Sequence, residues 1–228
     1  MVPQTRSVMV NASRTTGAVR FHEEALGAGQ RRVLPSVGEL AHARQFYLGD
    51  GTAVAIYLGH RRSMDFDWFT SEPLVDPLAL AQDLRTHNLR LTRRQVGPGT
   101  LHGTVSGVNV SYLHYRYPLL APSVAWTSMK CDLASLDDLA CMKLAAVAQR
   151  GAKKDFVDVY ALGTAHRPLR KLLQLYQQKY EIEDVSHVLV ALSYFDDAER
   201  ERLPKTLWPV SWSTIRQTIR AWVREISG

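Results

Sequence analysis

The hydrophobic pattern of this sequence changes its period part-way along the chain. Between residues 46 and 115, short apolar runs are separated by glycine and proline turns, which predicts about five strands, all before Pro118. From Ser135 onward the apolar residues recur at helical spacing, after a capping pair formed by Ser135 and Asp138. This order predicts an α+β fold, with a mixed β-sheet core and flanking helices in residues 21–125 and an all-helical domain in residues 126–228.

The same spacing predicts the individual elements. Residues 1–20 are polar and show no period, so we expect a flexible leader outside the fold. The last three predicted strands are close enough in sequence to form an antiparallel meander beside the first two. The predicted strands are residues 46–48, 64–69, 89–96, 101–105 and 108–115. The predicted helices are residues 21–44, as one helix or two, and residues 52–58, 78–84, 139–148, 153–162, 169–180, 184–192 and 213–226.

The composition is that of a packed globular protein. Of the 228 residues, 46% are hydrophobic, which is enough for a sizeable core. No apolar run approaches the roughly 20 residues of a membrane span, so we expect a cytoplasmic protein that does not bind a membrane. The excess of 28 Lys and Arg over 22 Asp and Glu, a net charge of +6, is compatible with a nucleic acid or nucleotide partner. Cys131 and Cys141 lack metal-ligand spacing and are predicted to be buried free thiols.

A glycine turn connects the first predicted strand to the helix that follows it. Gly49, Asp50, Gly51 and Thr52 form this turn. Its backbone N–H groups and the positive end of the helix could bind phosphate, although most turns of this kind only reverse the chain.

Two carboxylates occupy alternate positions of the next predicted strand. Asp65 and Asp67 would face the same side, while the neighbouring Phe66 and Trp68 would bury the other. Such a pair is usually a solvated strand face. Two like charges on a partly buried strand are costly without a cation, however, and Mg²⁺ prefers one or two carboxylates together with substrate phosphate oxygens. The pair is therefore a candidate metal site for a nucleoside triphosphate.

Charged residues in the helical half form a third candidate group. Lys143 and Arg150 are seven residues apart and would share a helix face, either pointing into a cleft or exposed to solvent. Asp155 and Asp158 also share a face, and Asp158 could form an ion pair with Lys154.

Other basic and aromatic residues also have two interpretations. Lys153 is predicted to be a surface charge. In a segment with four arginines, Arg90 and Arg94 would share one side of a predicted strand and could contact an RNA backbone, but exposed charge on an edge strand also protects against aggregation, and we favour that role. Tyr112 and Tyr117 could stack on a base or pack in the core. The arginines of this segment are Arg85, Arg90, Arg93 and Arg94.

Two long motifs in this order resemble a known family. Residues 46–70 read FYLGDGTAVAIYLGHRRSMDFDWFT, and residues 134–162 read ASLDDLACMKLAAVAQRGAKKDFVDVYAL. Both are similar to the AbiEii/AbiGii toxin family of nucleotidyltransferases, and so is YFDDAE at residues 194–199. The resemblance covers roughly residue 21 to the C-terminus. It implies a nucleotidyltransferase core followed by a helical domain, with the active site in the cleft between them.

The resemblance also implies a set of site residues and partners. Asp65 and Asp67 correspond to the metal ligands, with Mg²⁺ as the cofactor, a two-ion site as a possibility and Mn²⁺ as a substitute. Lys143 and Asp155 complete the catalytic set. The partners implied are a nucleoside triphosphate, an RNA acceptor, in particular the end of tRNA, and an antitoxin encoded nearby. Arg61 and Arg62 are implied to bind the nucleotide but could instead form structural salt bridges. The full nucleotide-binding set is Gly49, Asp50, Gly51, Thr52, Arg61, Arg62, Ser63, Lys143, Arg150 and Lys154.

The sequence departs from the family pattern at two places. Asp50 stands where members usually have a small residue, and its charge would repel a triphosphate unless it points away or assists the metal. Ser111 stands where many nucleotidyltransferases have a third carboxylate, so either Asp155 is the base or positioning and electrostatics supply the catalysis. Three functions are alternatives to nucleotide transfer onto RNA: a protein-nucleotidylating enzyme, a kinase-like enzyme and a nucleotide-binding member without turnover.

Overall fold

The computed structural model describes residues 19–228, so the predicted leader lies almost entirely outside the described residues. The helices are α1 (Ala28–Ala43), α2 (Asp50–Leu58), α3 (Pro77–Thr86), α4 (Leu136–Arg150), α5 (Lys153–Ala165), α6 (Leu169–Tyr180), α7 (Ser186–Ser193), α8 (Asp196–Glu199) and α9 (Trp212–Ser227). The strands are β1 (Tyr47–Leu48), β2 (Asp65–Thr70), β3 (Leu91–Gly97), β4 (Thr100–Val105), β5 (Val108–His114), β6 (Val124–Trp126) and β7 (Cys131–Leu133).

The strands form one mixed sheet in the order β3-β4-β5-β2-β1-β7-β6. Strands β3, β4 and β5 form the predicted antiparallel meander, and β5 and β2 are parallel neighbours. The five predicted strands are all present before Pro118, but the prediction that no strand follows Pro118 was wrong, because β6 and β7 follow it and β7 pairs in parallel with β1. Each has only three residues, too few for an alternating pattern to be recognised.

The two faces of the sheet differ in chemistry because side chains alternate along each strand. Phe66, Trp68 and Tyr112 face the core and are completely buried. Helix α1 contacts β5 and β7 on the sheet, and α3 contacts β3 and β4. Asp65 and Asp67 therefore face the opposite side, which carries the candidate site.

The helical half begins as the sequence predicts. The Ser135 hydroxyl accepts a hydrogen bond from the Asp138 N–H at the start of α4, and Gly151 ends that helix in the left-handed conformation. Helix α4 contacts α2, α5, α6 and α7, so it connects the sheet half to the remaining helices. The division into two domains stays a prediction, and β6 spans its boundary at residue 125. Within residues 19–228, no helix is both long and apolar enough to cross a membrane.

Candidate active site

The two strand carboxylates lie side by side on the open face of the sheet. Asp65 is directly opposite Asn109 on β5, and Asp67 is directly opposite Ser111. The Asn109 side-chain amide donates to Asp65 at 2.9 Å. Ser111 therefore lies beside Asp67, at the position that a third carboxylate would occupy.

The environment of Asp67 favours a bound cation. Burial raises the pKa of its carboxyl, and the nearby charge of Asp50 raises it further, although a hydrogen bond from Ser111 acts in the opposite direction. A divalent cation would offset both effects. Among the described residues, no group of three or more His, Cys, Asp or Glu side chains could hold a metal by itself, so ligands from a substrate would have to complete the site.

The glycine turn is fixed tightly to β2. The Gly49 N–H donates to the Asp67 carbonyl at 2.9 Å. The Thr52 hydroxyl contacts the Ser63 hydroxyl at 2.7 Å and donates to the Asp65 carbonyl. Thr52 is buried, so its hydroxyl holds the start of α2 beside the two carboxylates and is not directed into a cavity.

A buried ion network lies behind the turn. The Lys143 ammonium contacts Asp50, lies 3.1 Å from Asp155 and lies 2.9 Å from Asp158. The side chains of Lys143, Asp155 and Asp158 are all 0% exposed. Burial lowers the pKa of Lys143, but the three carboxylates, Asp50 first, outweigh it and hold the pKa above its usual value. Lys143 is therefore a buried residue whose ammonium is paired with three carboxylates.

Asp158 is the partner of Arg61 and His60. Arg61 donates to both carboxylate oxygens at 2.6 and 2.8 Å, and His60 Nε2 lies 2.7 Å from the same group. Arg61, which could have bound the nucleotide or formed a structural salt bridge, therefore forms a structural salt bridge. The ion pair between Asp158 and Lys154 is not formed. Burial raises the pKa of Asp158, yet Arg61 and Lys143 hold it well below its ordinary value.

Arg150 and Asp155 form a two-point ion pair next to Lys143. Arg150 Nε and Nη2 donate to the two Asp155 oxygens at 2.7 and 2.9 Å, and Nη2 lies 3.6 Å from Asp50. Both Asp155 oxygens are therefore engaged.

Lys153, which we predicted to be a surface charge, is instead buried, and its ammonium donates to the Glu201 carbonyl at 2.6 Å. The helical spacing could not indicate this partner, because it lies 48 residues away.

Three cavities meet at Asp67, and two of them also border Asp65. The first, about 370 Å³, opens beside the start of α2 and is bordered by basic residues. Arg62, Lys154 and Lys205 line it and form no salt bridge with any other described residue. The remaining lining residues are Asp50, Gly51, Arg61, Ser63, Met64, Asp65, Asp67, Lys143 and Pro204.

Lys205 was missed by the sequence interpretation. It reaches the site because the backbones of Arg61 and Thr206 form an isolated antiparallel β-bridge, and the Arg62 N–H donates to the Lys205 carbonyl at 2.9 Å. The segment containing Lys205 has no motif, and no signal in the sequence indicates this long-range pairing.

The second cavity, about 590 Å³, is aromatic. It lies between the sheet and helices α4, α6 and α7, and both Asp50 and Asp67 border it. Tyr115, Tyr117 and Tyr180 line it, and the Tyr115 and Tyr180 hydroxyls are 2.5 Å apart. The sequence left stacking on a base and packing in the core open for both Tyr112 and Tyr117. In the structure Tyr117 is at the site, whereas Tyr112 is buried in the core.

The third cavity, about 400 Å³, lies over the meander. It extends from Asp65 and Asp67 across β5 and β4 to Arg93 and Gln95 on β3. Asp67 is the residue common to all three cavities.

Comparison with known proteins identifies the family. The family model described as nucleotidyl transferase AbiEii toxin, type IV TA system, matches residues 117–221. Uncharacterized protein aq_aa25 from Aquifex aeolicus is 35% identical over 198 residues, which are 86% of this chain and 95% of that protein. The chain belongs to the AbiEii nucleotidyltransferase toxin family. The resemblance stated from the two motifs is confirmed, and membership makes the protein a nucleotidyltransferase of a type IV toxin–antitoxin system, which implies a nucleoside triphosphate substrate and an antitoxin.

Solved structures share the fold of this AbiEii member. JHP933 from Helicobacter pylori has a TM-score of 0.58 at 12% identity, covering 90% of this chain and 92% of that one. MenT4, the nucleotidyltransferase toxin Rv2826c from Mycobacterium tuberculosis H37Rv, has a TM-score of 0.55 at 13% identity, covering 86% and 82%. The predicted fold class is thereby confirmed.

Proposed function

We propose that this AbiEii member is a Mg²⁺-dependent toxin that transfers a nucleotide from a nucleoside triphosphate to RNA, with the end of tRNA as the acceptor. The observation that carries the proposal is the position of Asp65 and Asp67. They lie beside the start of α2, where a basic, an aromatic and an open polar cavity meet at Asp67, and Asp65 borders the basic and the polar cavity.

The first two cavities fit the two ends of a nucleotide. The triphosphate would occupy the basic cavity, where Arg62, Lys154 and Lys205 offer cations that are not already neutralised. The N–H groups at the start of α2 add to this positive potential. The base would occupy the aromatic cavity, where the rings of Tyr115 and Tyr117 offer stacking surfaces.

Asp65 and Asp67 would hold the metal. The elevated pKa of Asp67 and the shortage of protein ligands both fit an ion whose coordination is completed by phosphate oxygens. When bound, Mg²⁺ would neutralise the charge of the triphosphate and of the leaving pyrophosphate.

In the proposed reaction, an acceptor hydroxyl oxygen attacks the α-phosphorus. The bond between that phosphorus and the oxygen bridging to the β-phosphate breaks, and pyrophosphate leaves with the bonding electrons. The hydroxyl proton passes to solvent, because Ser111 is not a base and both Asp155 oxygens are engaged. Catalysis on this account comes from positioning and electrostatics.

The ion network would act by positioning these groups. Lys143 borders the basic cavity, but its ammonium is paired with three carboxylates among the described residues, so a phosphate would reach it by replacing Asp50. Asp155 lines none of the three cavities. We therefore assign Asp155 the role of fixing Lys143 and Arg150, and not that of a general base.

The test is transfer of α-labelled nucleotide to total cellular RNA. We expect labelling with Mg²⁺, and a loss of at least about 100-fold in Asp65→Asn and Asp67→Asn with unchanged thermal unfolding. The matched control is Asp132→Asn, which changes a carboxylate of the same sheet that pairs with His42 outside the three cavities. Equal labelling by all variants would refute the assignment. Label on polypeptide would identify a protein-nucleotidylating enzyme, and nucleotide binding without product from any acceptor would identify a member without turnover.

A further inference from the structure

The polar face of the sheet consists of two cross-strand rows. One row runs from Asp67 to Ser111, His102 and Gln95, each directly opposite the next. The other starts at Asp65 and passes through Asn109 and Thr104 to Thr92. Residues directly opposite one another share a face, so both rows lead from the two carboxylates to β3, the outermost strand of the sheet that the structure describes.

A bulge in β3 changes which arginine faces this side. The register shifts between Thr92 and Gln95, so both lie on the polar face although they are three residues apart. Regular alternation would have placed them on opposite faces. The extra residue is accommodated by Arg93, whose backbone is in the left-handed region at φ 49°. Arg93 therefore borders the third cavity, whereas Arg94 lines none of the three cavities.

We propose that this third cavity is the acceptor groove, that it binds the end of a single-stranded RNA, and that Arg93 contacts an RNA phosphate. The inference rests on the proposed function and names a subsite for its second substrate. A polyanion approaching Asp65 and Asp67 meets like charge, and among residues 19–228 Arg93 is the Lys or Arg side chain that borders this cavity. His102, Asn109 and Gln95 add polar groups for sugar and base edges.

The requirement for in-line attack supports this placement. The attacking and leaving oxygens must lie on opposite sides of the α-phosphorus. With pyrophosphate leaving towards the basic cavity, the acceptor must approach from another side of Asp65 and Asp67. The third cavity borders both carboxylates without sharing Arg62, Lys154 or Lys205 with the first.

The test compares Arg93→Ala with Arg94→Ala, two neighbouring exposed arginines on the same strand. Binding of a short, fluorescently labelled single-stranded RNA is measured over a series of salt concentrations, together with the KM for total tRNA and the KM for nucleotide. We expect Arg93→Ala to weaken RNA binding about fivefold and to lower the salt dependence by about one phosphate contact. The KM for tRNA should rise similarly, while the KM for nucleotide stays unchanged. Arg93→Lys should restore most of the binding, because it restores the charge.

The inference is overturned if Arg93→Ala and Arg94→Ala change RNA binding equally, or if neither changes it. The binding measurement does not depend on turnover. If the wild-type protein labels no RNA, the proposed function fails, while selective loss of RNA binding in Arg93→Ala would still support the groove.

Discussion

Asp50, the first residue of helix α2, forms an ion pair across the cleft with Lys143 of helix α4. Asp50 has φ 50°, in the left-handed region that costs a residue other than glycine about 1 kcal/mol. Its carboxylate also makes the buried network neutral, since Lys143, Arg61 and Arg150 then balance Asp50, Asp155 and Asp158. Without Asp50, the same network has a charge of +1 beside the basic cavity.

We therefore expect Asp50→Asn to bind nucleoside triphosphate more tightly. Asn tolerates the left-handed conformation, so the substitution removes the charge and keeps the backbone. Removing one like charge near the triphosphate should lower its Kd by about fivefold, equivalent to about 1 kcal/mol. Calorimetric titration with a non-hydrolysable triphosphate measures this, with Asp132→Asn as the control. Weaker binding, with a lower kcat and a greater Mg²⁺ requirement, would instead indicate that Asp50 assists the metal.

A second prediction uses two carboxylates that each bind an arginine and a histidine but differ in burial, and Asp158 also contacts Lys143. Asp158 binds Arg61 and His60 in the interior, and Asp137 binds Arg167 and His166 near the surface. Asp158→Asn leaves buried cations without a counter-charge, so we expect it to lower the free energy of unfolding by about 3–5 kcal/mol. Asp137→Asn should cost about 1 kcal/mol or less, because water screens that pair. Urea unfolding of both variants measures the difference, and equal losses would contradict the argument from burial.

Local features of the fold were predictable from the sequence. Alternation identified β2 and the shared face of Asp65 and Asp67, and the Ser135 cap identified the start of α4. Both depend on neighbouring residues, which a local pattern can report. Strands β6 and β7 could not be found in this way, because their position depends on pairing with distant β1.

The burial and the ion pairs of the predicted site residues were less predictable. The motif indicated Arg61, Lys143 and Asp155, but it could not show that all three are buried in ion pairs. Arg61 and its partner Asp158 are 97 residues apart, so no spacing rule relates them. Lys205 and the bulge that turns Arg93 towards the cavity likewise depend on contacts made only in the folded chain.

A third prediction compares two glycines, each the second residue of a helix. A Cβ at Gly51 would collide with the Arg61 guanidinium and lie 3.3 Å from Asp158. A Cβ at Gly29 would meet only Val108, at an ordinary 3.9 Å. Gly51→Ala should therefore destabilise the protein by about 1–3 kcal/mol, and Gly29→Ala should stabilise it by up to about 1 kcal/mol. Thermal unfolding of the two variants checks the opposite signs, and a stabilised Gly51→Ala would mean that the turn does not need close approach of Arg61.

The final prediction concerns acid stability. The pKa of Asp158 is depressed in the folded protein because Arg61 and Lys143 outweigh the opposing effect of burial. A carboxyl with a depressed folded-state pKa contributes stability that is present above its unfolded pKa, about 3.9, and is lost as the pH falls through the folded value. The loss caused by Asp158→Asn should therefore be greatest near pH 7 and should shrink progressively below about pH 4. Urea unfolding of wild type and variant at pH 7, 5, 4 and 3 measures this, with Asp132→Asn as the control. A difference that stays constant with pH would show that Asp158 stabilises the fold through packing and not through its charge.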